Sequence, residues 1–502
     1  MPPSRRRKIA CLGVVLALMG LAAGCSSAGP SAGSQAGTTV LVLDTQHPGR
    51  AIPAGFLGLG IEYRALGNYA GPNPAAPDPA LAELIANLSP GQSPVLRIGG
   101  DTTDWTWWPV PGMPQPPWVH YALTPDWLAV TRNLTQRLGA RLIVGVNFEA
   151  DSPTIATAEA NALISGLGRP SIAALELGNE PELYHSFGWY RGPDGRPVTG
   201  RPADYDYNIF QREFGTIARA LPQGTVAGPT TGGPWWEPDW PQFLASQPRV
   251  GLATVHRYPL HACSNQSSPL YPTIDHLLSP LALSGLAADT RPLVGVAHGR
   301  GLPLRVDEMN PTPCPARALQ LRSFAGALWA ADVLFEMAAV GVDGVNVQSS
   351  TGPTQDLFSV VQGSGGLRVA VWPEYYGLLL FARAAPPGSR LIPFSTGAPA
   401  PIHAWATEAR DGTVRVVLIN AGPGQRSLAL GAGAGGRPAS LERLLAPDVR
   451  AQEGVTLGGR SFGAWSNTGR LAGTPSQITI QPSQGRYAVG LPGHSAALLT
   501  IS

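Results

Sequence analysis

From residue 51 onward the chain alternates short apolar runs with longer stretches of helical periodicity. FLGLGIEY (56–63), SPVLRIGG (93–100), ARLIVGVNFE (140–149) and IAALELGNE (172–180) are the first four runs. GTVAGPT (224–230), LATVHRYP (252–259), LPLRVDEMN (302–310) and GVDGVNVQSS (341–350) are the next four. Their length and apolar content read as buried strands. Between them, DWLAVTRNLTQRLG (126–139) and RALQLRSFAGALWAADVLFEMAAV (317–340) carry helical spacing and few breakers. Eight strands alternating with helices over about 330 residues predict an α/β chain built on a (β/α)8 TIM barrel, residues 51–384.

The pattern changes after residue 385. PIHAWATEA, TVRVVLINA, SQITIQP, GRYAVGLP and SAALLTIS are short strands separated by Gly, Pro and Asn clusters, and no helical period interrupts them. Residues 385–502 are therefore expected to form an all-β sandwich. TTVLVLDT (38–45) alternates like a strand but precedes the barrel, so residues 38–50 are expected to cross over and pair with the sandwich.

At the N-terminus, Arg5, Arg6, Arg7 and Lys8 precede the apolar stretch Ile9 to Ala23, which is too short for a stable membrane span and reads as an export signal. LAAGC (21–25) resembles a bacterial lipobox, with Cys25 as the lipidated residue; an ordinary secretory signal is the alternative. Residues 1–25 are then the signal and 26–37, SSAGPSAGSQAG, a flexible tether. The protein is expected in the cell envelope, touching the membrane only through its anchor, or secreted outright.

Composition narrows the possible partners. The 502 residues are 44% hydrophobic and 14% charged, enough apolar material for a large core and a smaller second one. Thirty-five basic and 33 acidic residues leave a net charge of +2 without long runs, which gives nucleic acid no electrostatic footprint. Of the four cysteines, Cys263 and Cys314 remain in the exported body, where an even pair reads as one disulfide or as two buried thiols. Too few ligands surround them for a metal site.

Barrel enzymes carry their chemistry at the C-terminal ends of the strands, and here polar residues gather at those ends. The second strand ends RIGGDTTDW, the third NFE, the fourth GNEPE, the sixth HRYPLH, the seventh DEMN and the eighth NVQSS. Glu180 closes the fourth and Glu308 the seventh, roughly across the mouth from one another. Glycoside hydrolysis needs such a pair, one carboxylic acid to protonate the leaving oxygen and one carboxylate on the far side of the sugar. Strand alternation turns Asp307 away from Glu308, toward the helices.

Asn-Glu-Pro at the fourth strand with a second Glu at the seventh resembles the large clan of retaining glycoside hydrolases. Within it, RIGGDTTDWTWW (97–108), VHRYP followed by Cys263, DEMN followed by Cys314, and EYYGLLLFA (374–382) resemble glycoside hydrolase family 79, the β-glucuronidase and heparanase family. The resemblance runs from about residue 55 to the C-terminus. It implies that Glu180 is the acid/base, Glu308 the nucleophile, Asn179 the amide that holds the sugar 2-hydroxyl, and Tyr258 a neighbour that keeps the nucleophile ionised. His256 shares a face with Tyr258 and lines the site unless it is a structural histidine. Asp101, Asp104 and Trp107 of the second strand's end bind sugar in this reading, or else pack the mouth. Cys263 and Cys314 follow neighbouring strands, which favours their pairing. The chain departs from the family after Asn310, where PTPCPA replaces a Gly-rich stretch.

The expected protein is an exported retaining β-glycosidase acting on β-glucuronides or related glycans, with no metal or organic cofactor. The alternatives are the same chemistry on an arabinoside, xyloside or glucoside, and a non-catalytic envelope lipoprotein that binds glycan. For a uronic acid carboxylate, Arg64 and donors from SSTGPTQ (349–355) are the candidate partners. Arg97, Arg257 and Arg305 lie within strands and are expected to form ion pairs on the barrel's outer side.

Overall fold

The eight apolar runs form eight parallel strands that close on themselves. They are β1 (Leu57–Ile61), β2 (Val95–Ile98), β3 (Arg141–Val146), β4 (Ile172–Leu177), β5 (Val226–Thr231), β6 (Val250–Arg257), β7 (Leu304–Met309) and β8 (Gly344–Ser349). Each is hydrogen-bonded to the next, and β8 returns to β1. This computed structural model describes residues 38–71, 73–313, 322–350, 356–363, 366–432 and 436–502. Residues 1–37, with the expected signal, tether and Cys25, lie outside the described residues, as do Cys314 and residues 351–355 of SSTGPTQ.

Burial on both faces explains why the strands read as nearly continuous apolar runs. The first predicted helix is α1 (Pro125–Leu138), entered through Thr124, whose Oγ1 accepts from Trp127 N at 3.2 Å, and closed by Gly139 in the left-handed region. The second is α2 (Phe324–Val340), almost wholly buried; its predicted beginning falls outside the described residues. The helix α3 (Pro373–Ala384) completes the barrel's outer layer. Among the described residues no helix is long and apolar enough to cross a membrane.

Beyond α3 the described chain holds only strands and turns. Ile402–Glu408, Val414–Asn420, Ser495–Ile501 and Ala439–Leu445 are the central strands of a seven-stranded sheet. Facing it is a three-stranded sheet in which Thr39–Val42 runs parallel to Arg426–Gly431, and that strand antiparallel to Arg486–Leu491. Leu41, Leu428, Leu430, Val489, Val416 and Leu499 fill the space between. Strands Arg426–Gly431 and Ala439–Leu445 are additions to the sequence-based reading. Trp405 ties the module to the barrel, stacking on Phe335 of α2 with centroids 5.6 Å apart and donating to Asp332 Oδ1 at 2.6 Å.

Candidate active site

The turn after β4 presents Glu180. Gly178, at φ 76°, has no room for a side chain, since a Cβ there would lie 2.3 Å from the Tyr184 hydroxyl. Glu180 itself is left-handed at φ 48°, a strained choice for a residue with a side chain, and its N–H donates to Thr230 O of β5 at 3.1 Å. Its carboxylate remains 17% exposed at the mouth, with Oε1 2.9 Å from His256 Nδ1. Two residues on, buried Glu182 accepts from both Gly232 N and Gly233 N at 2.6 Å and so fixes the loop after β5 against this turn.

Glu308 lies across the barrel on β7. Tyr258 donates its hydroxyl to Oε1, and Arg97 donates Nη1–H to Oε2. Burial alone would raise the Glu308 pKa, but His256, then Arg97 and these hydrogen bonds, hold it below the ordinary carboxylate value. Oxygens of Glu180 and Glu308 and a ring nitrogen of His256 lie within 4.8 Å of one another. The two carboxylates therefore face a common space.

The expectation that Asp307 packs toward the helices is wrong, and a β-bulge is the reason. Along the β6–β7 pairing Val255 opposes Val306 but His256 opposes Glu308, so β7 carries one residue in excess at Asp307. Strict alternation is broken there. Asp307 is fully buried inside the barrel, 3.7 Å from Arg97 Nε and 3.8 Å from His256 Nε2. Burial, then the neighbouring Glu176, pushes its pKa well above the usual range.

Arg97 also differs from expectation. It does not sit on the barrel's outer side but is wholly buried beneath the site. Its Nε donates to Glu176 at 2.7 Å, its Nη2 to Asn179 Oδ1 at 2.9 Å, and its Nη1 to Glu308. Arg305 is likewise no outer ion pair, for it is buried and donates to Asn346 and to the carbonyls of Gly55 and Phe56. Arg257 does pair as expected, with Glu237 at 2.8 Å.

The remaining candidates divide into those at the pair and those that support it. Asn179 adjoins the pair; it holds Arg97 and donates Nδ2–H to Asp101 at 3.2 Å, while its N–H is held by Asp104 at 3.0 Å. His256 is buried between Glu180 and Thr230, with Nε2 3.0 Å from Thr230 Oγ1. Burial would lower its pKa, but Glu308, the Glu180 hydrogen bond and Asp307 raise it to about 9. Asp101 is open at the mouth. Asp104 and Trp107, expected as sugar-binding residues or as packing, are both buried. Asp104 is 3% exposed and accepts from Phe148 N, Glu149 N, Asn179 N and the Tyr184 hydroxyl, all within 3.1 Å. Trp107 is buried in a cluster with Trp118, Val119, Ile155 and Trp189. Both pack the mouth, the alternative reading for this stretch.

Sequence reasoning missed Glu62, at the end of β1. It accepts from Thr102 N at 3.0 Å and from Gln348 Nε2 at 3.1 Å, and burial followed by the Glu308 charge raises its pKa. Inspecting every strand end would have found it. Arg64 is exposed. Cys263 follows β6, in a loop joined to the one after β7 by Leu260 N to Pro311 O at 3.0 Å and Ala262 N to Thr312 Oγ1 at 3.1 Å.

The fold has many solved counterparts. A 4-O-α-L-rhamnosyl-β-D-glucuronidase from Fusarium oxysporum is similar at TM-score 0.71 and 17% identity, covering 92% of this chain and 100% of its own. A family 51 arabinofuranosidase from Xanthomonas axonopodis pv. citri is similar at TM-score 0.61 and 15% identity, covering 93% and 100%. A monomeric β-xylosidase from Caulobacter crescentus CB15 is similar at 0.57 and 15%, covering 93% and 99%. No protein-family model and no curated protein matches the chain in sequence. These likenesses establish the shared architecture, a TIM barrel with separate all-β sheets.

Proposed function

We propose that the protein is a retaining β-glycosidase. The observation that carries the reading is the pair Glu180 and Glu308, on opposite strands of the barrel, with oxygens within 4.8 Å. Retaining enzymes keep their carboxyls about 5–5.5 Å apart, whereas inverting ones need about 6.5–9.5 Å to admit a water. In this mechanism Glu308, kept ionised by His256, Arg97 and Tyr258, attacks the anomeric carbon as Glu180 delivers a proton to the departing oxygen. A glycosyl–Glu308 ester forms. Glu180 then takes a proton from water, which attacks the same carbon and releases the sugar with its configuration retained. Asn179, held by Arg97 and Asp104, is the residue that the family resemblance assigns to the sugar 2-hydroxyl. The first-formed product anomer, followed by NMR during hydrolysis of an aryl β-glycoside, should be β; an α-product would reject retention, and no turnover by the folded protein would favour a glycan-binding role.

For the sugar, the resemblance to family 79 and the Fusarium neighbour's glucuronide chemistry support a β-glucuronide. A neutral glycoside is favoured by a different observation. Asp101 and Glu62 stand beside the pair, while the Arg97 guanidinium is already spent on Glu176, Asn179 and Glu308. A substrate carboxylate brought among these groups would need further donors to be bound out of water. Comparing aryl β-glucuronide with the matching β-glucoside, β-xyloside and arabinoside decides between them. The same proposal includes export with a lipid at Cys25, which detergent phase partitioning of wild type and Cys25→Ser would test, and a Cys263–Cys314 disulfide across the joined loops, which thiol alkylation of the unfolded, unreduced protein would test.

A further inference from the structure

The loop after β5 carries a feature that the two-carboxylate mechanism does not use. Pro234–Asp239 form a 3-10 turn that sends two consecutive tryptophans in opposite directions. Trp236 is 8% exposed and stacks on Phe210 at 5.1 Å, whereas Trp235 is 54% exposed. A single exposed apolar side chain is ordinary on a protein surface, so it is the place of Trp235 in the fold that carries the argument.

Its position is fixed by two glycines. A Cβ on Gly232 would lie 2.2 Å from Glu180 Oε1, so the loop backbone runs directly against the acid/base carboxylate. A Cβ on Gly233 would lie 2.3–2.5 Å from three atoms of the Trp235 six-membered ring, so the indole folds back over Gly233, two residues earlier in the chain. Glu182 clamps both glycine N–H groups, which keeps this geometry rigid. The exposed indole is thus built onto the stretch of backbone that touches Glu180, and Glu180 is the group that must reach the leaving oxygen.

We infer that Trp235 is a stacking platform for the leaving group, a second sugar ring or an aromatic aglycone. Sugar rings present an apolar C–H face, and an indole covers it with a large flat surface at little conformational cost. The assignment rests on the hydrolase reading above and adds to it that the substrate is a glycan or aryl glycoside of at least two rings.

A glycosyl fluoride has no ring on the leaving side and needs little acid assistance, so it separates the platform from the chemistry. The probes are β-D-glucosyl and β-D-glucuronyl fluoride, each compared with the corresponding glycoside of glucose. Trp235→Ala should lower kcat/KM at least about tenfold on the disaccharide, mainly through KM, and leave fluoride turnover within about twofold; Trp235→Phe should recover most of the loss. Equal losses on both probes, or no loss on either, would overturn the platform. If the unaltered protein consumes neither fluoride, the xylosyl and arabinosyl fluorides and their glycosides of glucose take their place, and consumption of none of the four fluorides fails the hydrolase reading and takes the platform with it.

Discussion

The barrel mouth and the β-sandwich bury opposite kinds of residue. Beneath the mouth, Arg97, Glu176, His256, Asp307 and Glu308 are packed together almost without exposure. Between the two sheets the hydrophobic cluster is Leu, Val, Ile and Ala with one tyrosine, and the buried polar Asn420 is neutral, its Nδ2–H donated to Leu491 O of the facing sheet at 3.3 Å. Buried charge is weak evidence for stability, because desolvation can exceed the attraction between partners. The sandwich is thus built as a stabilising core, while the mouth accepts strain and buried charge and gains a carboxylate, Glu308, whose pKa is held down.

The sharpest way to break this comparison is Glu308→Ala. Turnover should fall at least about a thousandfold, and labelling by a covalent glycosidase inactivator should vanish. Labelling that persists elsewhere would reassign the nucleophile. Glu180→Ala should cost about a hundredfold or more on glycosides with poor leaving groups and far less on activated aryl glycosides; equal losses would remove the acid/base role.

Smaller effects sharpen the picture. Because Arg97 helps hold the Glu308 pKa down, Arg97→Met should move the acid limb of the kcat/KM profile to higher pH, with a loss of about tenfold or more at neutral pH. The stability contributed by ionised Glu308 is present above its unfolded pKa and is lost as pH falls through the lower folded value. His256 has the opposite sign. With a folded pKa of about 9, its contribution is complete below about 6.5 and disappears as pH rises through 9, which NMR titration of the ring would follow. An unperturbed His256 midpoint would break the proposed coupling. Leu499→Ala, in the sandwich core, should cost about 2–5 kcal/mol in denaturant unfolding and leave kcat of the folded protein unchanged.

How much the sequence disclosed follows the same division. Eight strands and the positions of Glu180 and Glu308 were legible because a parallel barrel needs unbroken apolar runs and places polar residues at their ends. The inward course of Arg97 was not. In VLRI its neighbours Leu96 and Ile98 are both apolar, and a strand buried on two faces gives alternation no phase. Asp307 was misplaced because a bulge breaks the period of two, and no residue near DEM announces it. In the sandwich, ASLERLL (439–445) is rich in helix formers, and only pairing with Ser495–Ile501 makes it a strand.

The strand Thr39–Val42 has a consequence for how the molecule is made. Its partner, Arg426–Gly431, lies roughly 390 positions later, and the last strand of the chain lies in the middle of the facing sheet. Topologically the whole barrel is an insertion between the first strand of the sandwich and the rest. A growing chain folding from its N-terminus must leave that strand unpaired until synthesis is nearly complete, so completion of the sandwich should be the slow, long-range step of assembly. A circular permutant beginning near residue 385, with the old C-terminus linked to Thr38, would make the sandwich contiguous. It should assemble that module faster while leaving the barrel's own order of strands intact.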